Sequence, residues 1–203
     1  MDATTERSVI DAYKKGTTEE RNCLRRLFPE LISNSRELKS VTERVRTFYD
    51  ALDELGEEHP YVKMWNNAYH GGTDWGADRD IADVVAYLKL RIITAALNEG
   101  WNPTYNQKDE QWYPYFSFYS EDELKCLKCQ KDLELKAIYS IPGYEAETDY
   151  IVYMGENSYC NESDMCLNSH LCFKSEELAN YCAEQFIDIY ADYFLTRKNN
   201  ETI

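Results

Sequence analysis

Cys126, Cys129, Cys160 and Cys166 form the group whose residue types and spacing best fit a defined chemistry. Cys126-Leu127-Lys128-Cys129 is a CxxC knuckle, and a second thiolate pair would close a tetrahedral structural zinc site pinning the two ends of a hairpin. The second pair departs from that pattern. Asn161 to Met165 separate Cys160 from Cys166, a wider gap than a zinc ribbon uses, and His170 and Cys172 stand nearby as substitute ligands. Structural zinc, unligated thiols and redox or disulfide chemistry all stay open on these residues. A redox knuckle belongs at a helix start that follows a strand; Glu121 to Lys125, immediately before this one, read as helix.

The other chemistry-bearing residues are sparse. His59, His70 and His170 are the only histidines, and they show no HExxH or comparable two-ligand spacing. His70 opens the glycine-rich segment Gly71-Gly72-Thr73-Asp74-Trp75-Gly76, where Asp74 could orient an imidazole. That segment lacks the Lys-Ser/Thr of a phosphate loop and follows no strand, so its glycines are expected to serve a turn. With no GxSxG, no GxGxxG after a strand and no paired acid motif, no residue is assigned as catalytic or cofactor-binding, and an enzyme is the weaker class.

The chain of 203 residues is expected to form one domain over 1–203, helical over about 1–103 and α+β over about 104–198. Its formal charge of −15 is uneven: residues 1–103 carry 18 acids against 14 bases, and residues 104–203 carry 19 against 8. Such a field opposes contact with phosphate backbones and anionic lipid, and it suits docking on a basic protein surface. The 17 tyrosines offer rings with polar tips for a half-buried rim or a binding face. No stretch approaches the roughly 20 apolar residues of a membrane span. With its polar N-terminus and an odd set of cysteines read as reduced, the chain is expected to be cytoplasmic.

Several elements must position these residues. Thr17 to Glu20 read as a capping box, followed by Cys23, Leu24, Leu27 and Phe28 on one face and by Pro29 as the stop. A helix from Thr42 to Leu55 has Val45, Phe48, Tyr49, Leu52 and Leu55 inside, and another covers Tyr61 to Tyr69. Arg21, Arg25, Arg26, Arg44 and Arg46 fall mainly on outer faces, where pairing with nearby Glu is expected. A long central helix spans Arg79 to Glu99, capped by Asp78, with Ile81, Val84, Val85, Leu88, Ile92, Ala95 and Ala96 as its apolar face. Strands are expected near Trp112–Tyr119 (an edge, given Pro114), Lys136–Ile141, Asp149–Met154 and Leu171–Lys174, and an amphipathic helix from Ser175 to about Leu195. The result is an α+β fold with a small, mainly antiparallel sheet.

Five blocks are similar to an uncharacterised small-protein family of Bacteroidetes phages, prophages and mobile elements. They are Arg44 to Ala51, Glu54 to Pro60, Ala95 to Pro103, Trp112 to Phe116 and Leu171 to Ala179. The likeness runs in patches over residues 10–195, and the order of the blocks is more specific than any one of them. The cysteine cluster departs from the family's pattern, and no functional residue carries over. The resemblance implies a phage or mobile-element accessory protein working inside a bacterial cell. Combined with the charge, it leads to a protein-binding module that docks its acidic, Tyr-rich half on a host or phage protein, inhibiting a defence or nucleic-acid enzyme. The alternatives are a capsid-associated or packaged virion protein, and a small-ligand protein or enzyme built on Trp101, Trp112, Tyr113 and the His70 loop.

Overall fold

The computed structural model describes residues 2–35, 39–70, 81–103, 110–128, 137–159 and 169–198. By its internal contacts the chain divides into two compact units, Met1–Arg44 and Val45–Ile203.

The first unit is built from helices with polar caps: α1 (Ala3–Lys15), α2 (Thr18–Leu27), α3 (Pro29–Asn34) and α4 (Val41–Arg44). Asp2 accepts from the Thr5 N–H, Thr17 and Glu20 cap α2 reciprocally, and Ser40 and Glu43 do the same for α4. Pro29 does stop α2, yet it also starts α3, because a proline fits the first turn, where no N–H is needed. Leu27, expected inside, is exposed. Two arginines of α2 find α1 as a partner: Arg21 donates to the carbonyls of Tyr13 and Lys14, and Arg25 donates to the Tyr13 hydroxyl, while Arg26 donates to the Asn22 carbonyl of its own helix.

In the second unit, α5 (Phe48–Leu55), α6 (Pro60–His70) and α7 (Ala82–Asn98) precede β1 (Gln111–Tyr119), α8 (Glu121–Lys128), β2 (Ala137–Ser140), β3 (Tyr150–Tyr159), α9 (Glu176–Gln185) and α10 (Ile187–Phe194). The sheet order is β1-β3-β2 with both pairings antiparallel, so β1 is an edge strand that tolerates Pro114. Helix α9 packs on β1 and β3, while α7 packs against α5, α6, α9 and α10. The described residues thus form an α+β fold, with Ile151, Tyr153, Phe173, Ala179 and Cys182 buried at the sheet–helix interface.

Five expectations are corrected by this packing. The Thr42–Leu55 helix is interrupted at residues 45–47. There Thr47 and Asp50 form their own capping box, and the carbonyls of Val45 and Arg46 accept from Tyr181 Oη at 2.7 Å and Gln185 Nε2 at 2.9 Å. The Ser175–Leu195 helix is two helices, because Phe186 leaves the helical region (φ −123°, ψ 30°) to bury its ring, and α10 restarts from its carbonyl. Leu171–Lys174 is no fourth strand: Ser169–Leu171 form a 3-10 turn, and only Phe173 bridges to Trp112, through a reciprocal pair of backbone bonds at 2.7 and 3.0 Å. The apolar face assigned to α7 is too narrow: Val84 is 52% exposed, whereas Leu90, Ile93, Thr94, Leu97 and Asn98 are buried, since neighbours flank this helix on more than one side. Tyr49, placed inside by periodicity, is likewise exposed.

Candidate functional site

Two features of the second unit gather polar and aromatic side chains: the sheet face turned away from α9, and a cavity beside α7.

Alternation along β1 sends Trp112, Phe116 and Phe118 to one side and Tyr113, Tyr115, Ser117 and Tyr119 to the other. Phe116 meets Tyr153, Tyr190 and Phe194 at ring distances of 5.6, 4.6 and 5.8 Å, which identifies the inner side. The outer side holds Tyr115, 50% exposed, with Tyr119 Oη lying 3.8 Å from Met154 Sδ. Between Tyr115 and Phe116 the register shifts, so β3 carries one extra residue, Met154, and Gly155 takes φ 138°.

At the Tyr119–Tyr150 end of the sheet the chain turns into α8, and acids gather. Ser120 and Glu123 cap α8 reciprocally, and the Ser120 N–H holds the Glu123 carboxyl below its ordinary pKa. The Glu121 N–H donates to Asp149 Oδ2 at 2.9 Å, joining the helix start to the strand end, with Asp122, Glu145 and Glu147 exposed nearby in sequence. Lys125 answers part of this charge, 2.9 Å from Glu121 and 3.7 Å from Asp122, and its pKa is raised by Glu121 first and Asp122 second. The result is an acidic, tyrosine-bearing rim.

The cavity, about 400 Å³, lies between α5, α6, α7 and the α9–α10 junction. Phe48, Trp65, Val85, Phe186 and Ile189 make its apolar walls, and Arg46, Lys89, Gln185 and Asp188 its polar ones. The Phe48 and Trp65 rings meet edge to face at 4.6 Å, and Lys89 Nζ lies 5.9 Å from each ring centre. The bond from Gln185 to the Arg46 carbonyl holds the 45–47 segment at this wall.

Of the proposed zinc ligands, Cys126 sits on an exposed face of α8, while Cys129, Cys160 and Cys166 lie outside the described residues. The substitutes are placed: Cys172 is buried, and the His170 carbonyl accepts from Arg91. Among the described residues no group of three His, Cys, Asp or Glu side chains is arranged to hold a metal ion. His59 precedes α6, and its Nδ1 accepts from the Tyr61 N–H at 3.3 Å; burial lowers its pKa. The His70 side chain, Gly71–Gly76 and Asp78 are outside the described part. Trp101, Trp112 and Tyr113 do not line the cavity. Its residues form no sequence motif because they come from four separate elements. The available signal was a pair of cations, Lys89 and Arg91, set within the apolar run from Val84 to Ala96, of which only Lys89 lines the cavity.

No helix among the described residues is long and apolar enough to cross a membrane. No family model, curated protein or solved structure matches the chain.

Proposed function

We propose that this chain is a non-enzymatic accessory protein of a phage or mobile element that docks its acidic, tyrosine-bearing rim on a basic surface of a host or phage protein. The observation that carries the reading is the joined group of Glu121, Asp122, Glu123 and Asp149 at the end of a sheet whose outer face presents Tyr115. Exposed acids steer a basic partner and set the register of docking, and the half-exposed Tyr115 supplies contact area at low entropic cost. The charge of the C-terminal half supports the same direction, because it repels nucleic acid and suits a surface that itself binds nucleic acid. The family resemblance supports a bacterial cell as the setting, and inhibition of a defence or nucleic-acid enzyme there is part of the proposal.

The test is affinity capture from bacterial host lysate at low and high salt, with the wild-type chain and with the double variant Asp122→Lys, Glu147→Lys. Both positions are exposed and neither caps a helix. A partner captured at low salt, lost at high salt and lost by the variant is the expected result. Capture indifferent to salt and to both substitutions refutes the electrostatic mode, and recovery of the chain in stoichiometric amount from purified particles selects a virion role instead.

A further inference from the structure

The acidic rim leaves the cavity beside α7 unexplained, and its electrostatics run opposite to those of the chain. Carboxylates are in excess, 37 acids against 22 bases. Lys63, Lys125, Lys174 and Arg197 pair with Glu58, Glu121, Glu99 and Asp192, and Arg21, Arg25 and Arg91 donate to carbonyl or hydroxyl oxygens. Lys89 and Arg46, which share the cavity, have no such partner among the described residues. Asp50 is close in sequence, but its Oδ2 is taken up by the N–H groups of Arg46 and Thr47. Asp188 lines the cavity without pairing with either cation.

From this we propose that the cavity binds a small, flat, apolar molecule bearing a single carboxylate, such as an aromatic acid. The volume falls in the range of small-molecule sites, roughly 300–1,000 Å³. The walls argue for a flat body, since a planar ring can lie against the edge-to-face Phe48–Trp65 pair on one side and Val85 and Ile189 on another. The charges argue for a monoanion: two cations and Asp188 leave the lining at net +1, which matches one carboxylate and penalises a dianion such as a phosphate monoester. Lys89 is half-buried, so a carboxylate replacing its water would form a charge-assisted hydrogen bond with little screening. This site is separate from the acidic rim, and either can fail without the other.

The experiment is calorimetric titration of the full chain with 2-naphthoate and, separately, with 2-naphthamide, its neutral counterpart of the same shape. Naphthoate should bind at least about tenfold more tightly, as expected for one charge-assisted contact. Lys89→Met keeps the stem and removes the charge; it should abolish the preference for naphthoate and leave naphthamide binding unchanged. Ala68→Phe, which fills the cavity, should weaken both. In the wild-type chain, naphthoate should move the Trp65 indole N–H and Ile189 methyl resonances, a readout that needs no variant. Equal binding of the two probes, no binding of either at millimolar concentration, or shifts confined to residues outside the cavity would overturn the proposal.

Discussion

The side-chain amide of Asn98, in the last turn of α7, donates to the carbonyl oxygen of Cys172 at 2.9 Å and accepts from the Lys174 N–H at 3.1 Å. One buried side chain thus satisfies two backbone groups flanking Phe173, whose own backbone is bonded to Trp112 of β1. Through it the central helix, the sheet edge and the start of α9 share one fastening. Asn98→Ala leaves both groups desolvated and unpaired and should cost about 3 kcal/mol. Asn98→Asp keeps the acceptor but loses the donor and should fail nearly as badly. Denaturant midpoints at constant slope check both; a loss below about 1 kcal/mol for Asn98→Ala would mean that water replaces the amide.

Four residues earlier the same helix carries the opposite case. Thr94 Oγ1 is buried with no hydrogen-bond partner among the described residues. Val has nearly the same shape without the hydroxyl, so Thr94→Val should raise stability by about 1 kcal/mol, read as a higher thermal midpoint.

Gly155 separates backbone strain from crowding. A Cβ built there meets nothing within 4 Å, yet φ is 138°, a region that side chains avoid. Gly155→Ala should therefore destabilise by about 1–2 kcal/mol through the backbone alone, and Gly155→Ser should match it, because space is not the issue. If the serine variant proves much worse than the alanine variant in chemical denaturation, crowding is responsible instead.

Burial pushes the Cys182 thiol up to about 12, and it raises the Tyr190 hydroxyl further above its ordinary range, with Cys182 3.7 Å away. Both groups have folded pKa values above their unfolded ones. Their contribution is therefore fully present below pH 9 for the thiol and is lost as pH climbs toward 12. Each group should subtract up to about 1.4 kcal/mol per pH unit once the unfolded chain ionises. Cys182→Ala should make the alkaline decline of stability shallower, despite a lower starting value. In native protein at pH 8, iodoacetamide mapped by mass spectrometry should modify exposed Cys23 and Cys126 and spare Cys172 and Cys182.

Local chemistry was readable in the sequence where it is self-contained. The Thr17–Glu20 box, Ser175 before α9, the helix before the CxxC knuckle and Pro114 on an edge strand each depend on residues a few positions apart. The breaks were not readable. Residues 45–47 leave the helix because Tyr181 and Gln185 take their carbonyls, and Phe186 leaves it to fill the core; periodicity shows neither partner. Asn98 stood in the last turn of an expected helix, and its two bonds reach residues more than 70 positions away. The same holds for the cavity, where Arg46 was assigned to an outer face and Lys89 to none. Only the packing of four elements makes them neighbours.

The distance between Asn98 and Cys172, 74 residues, also has a consequence during synthesis. On a ribosome adding about 5–20 residues per second, α7 waits roughly 4–15 s for the segment that covers it. The edge strand β1 waits as well, since its partner β3 is the last strand made. Helices α5 and α6 are already made and can cover part of α7, but until α9 and α10 follow, the rest of its apolar surface stays open, and β1 stays unpaired until β3 is made. A chaperone that grips apolar segments will meet this protein in that window, and a premature stop there leaves a product shaped for aggregation or proteolysis.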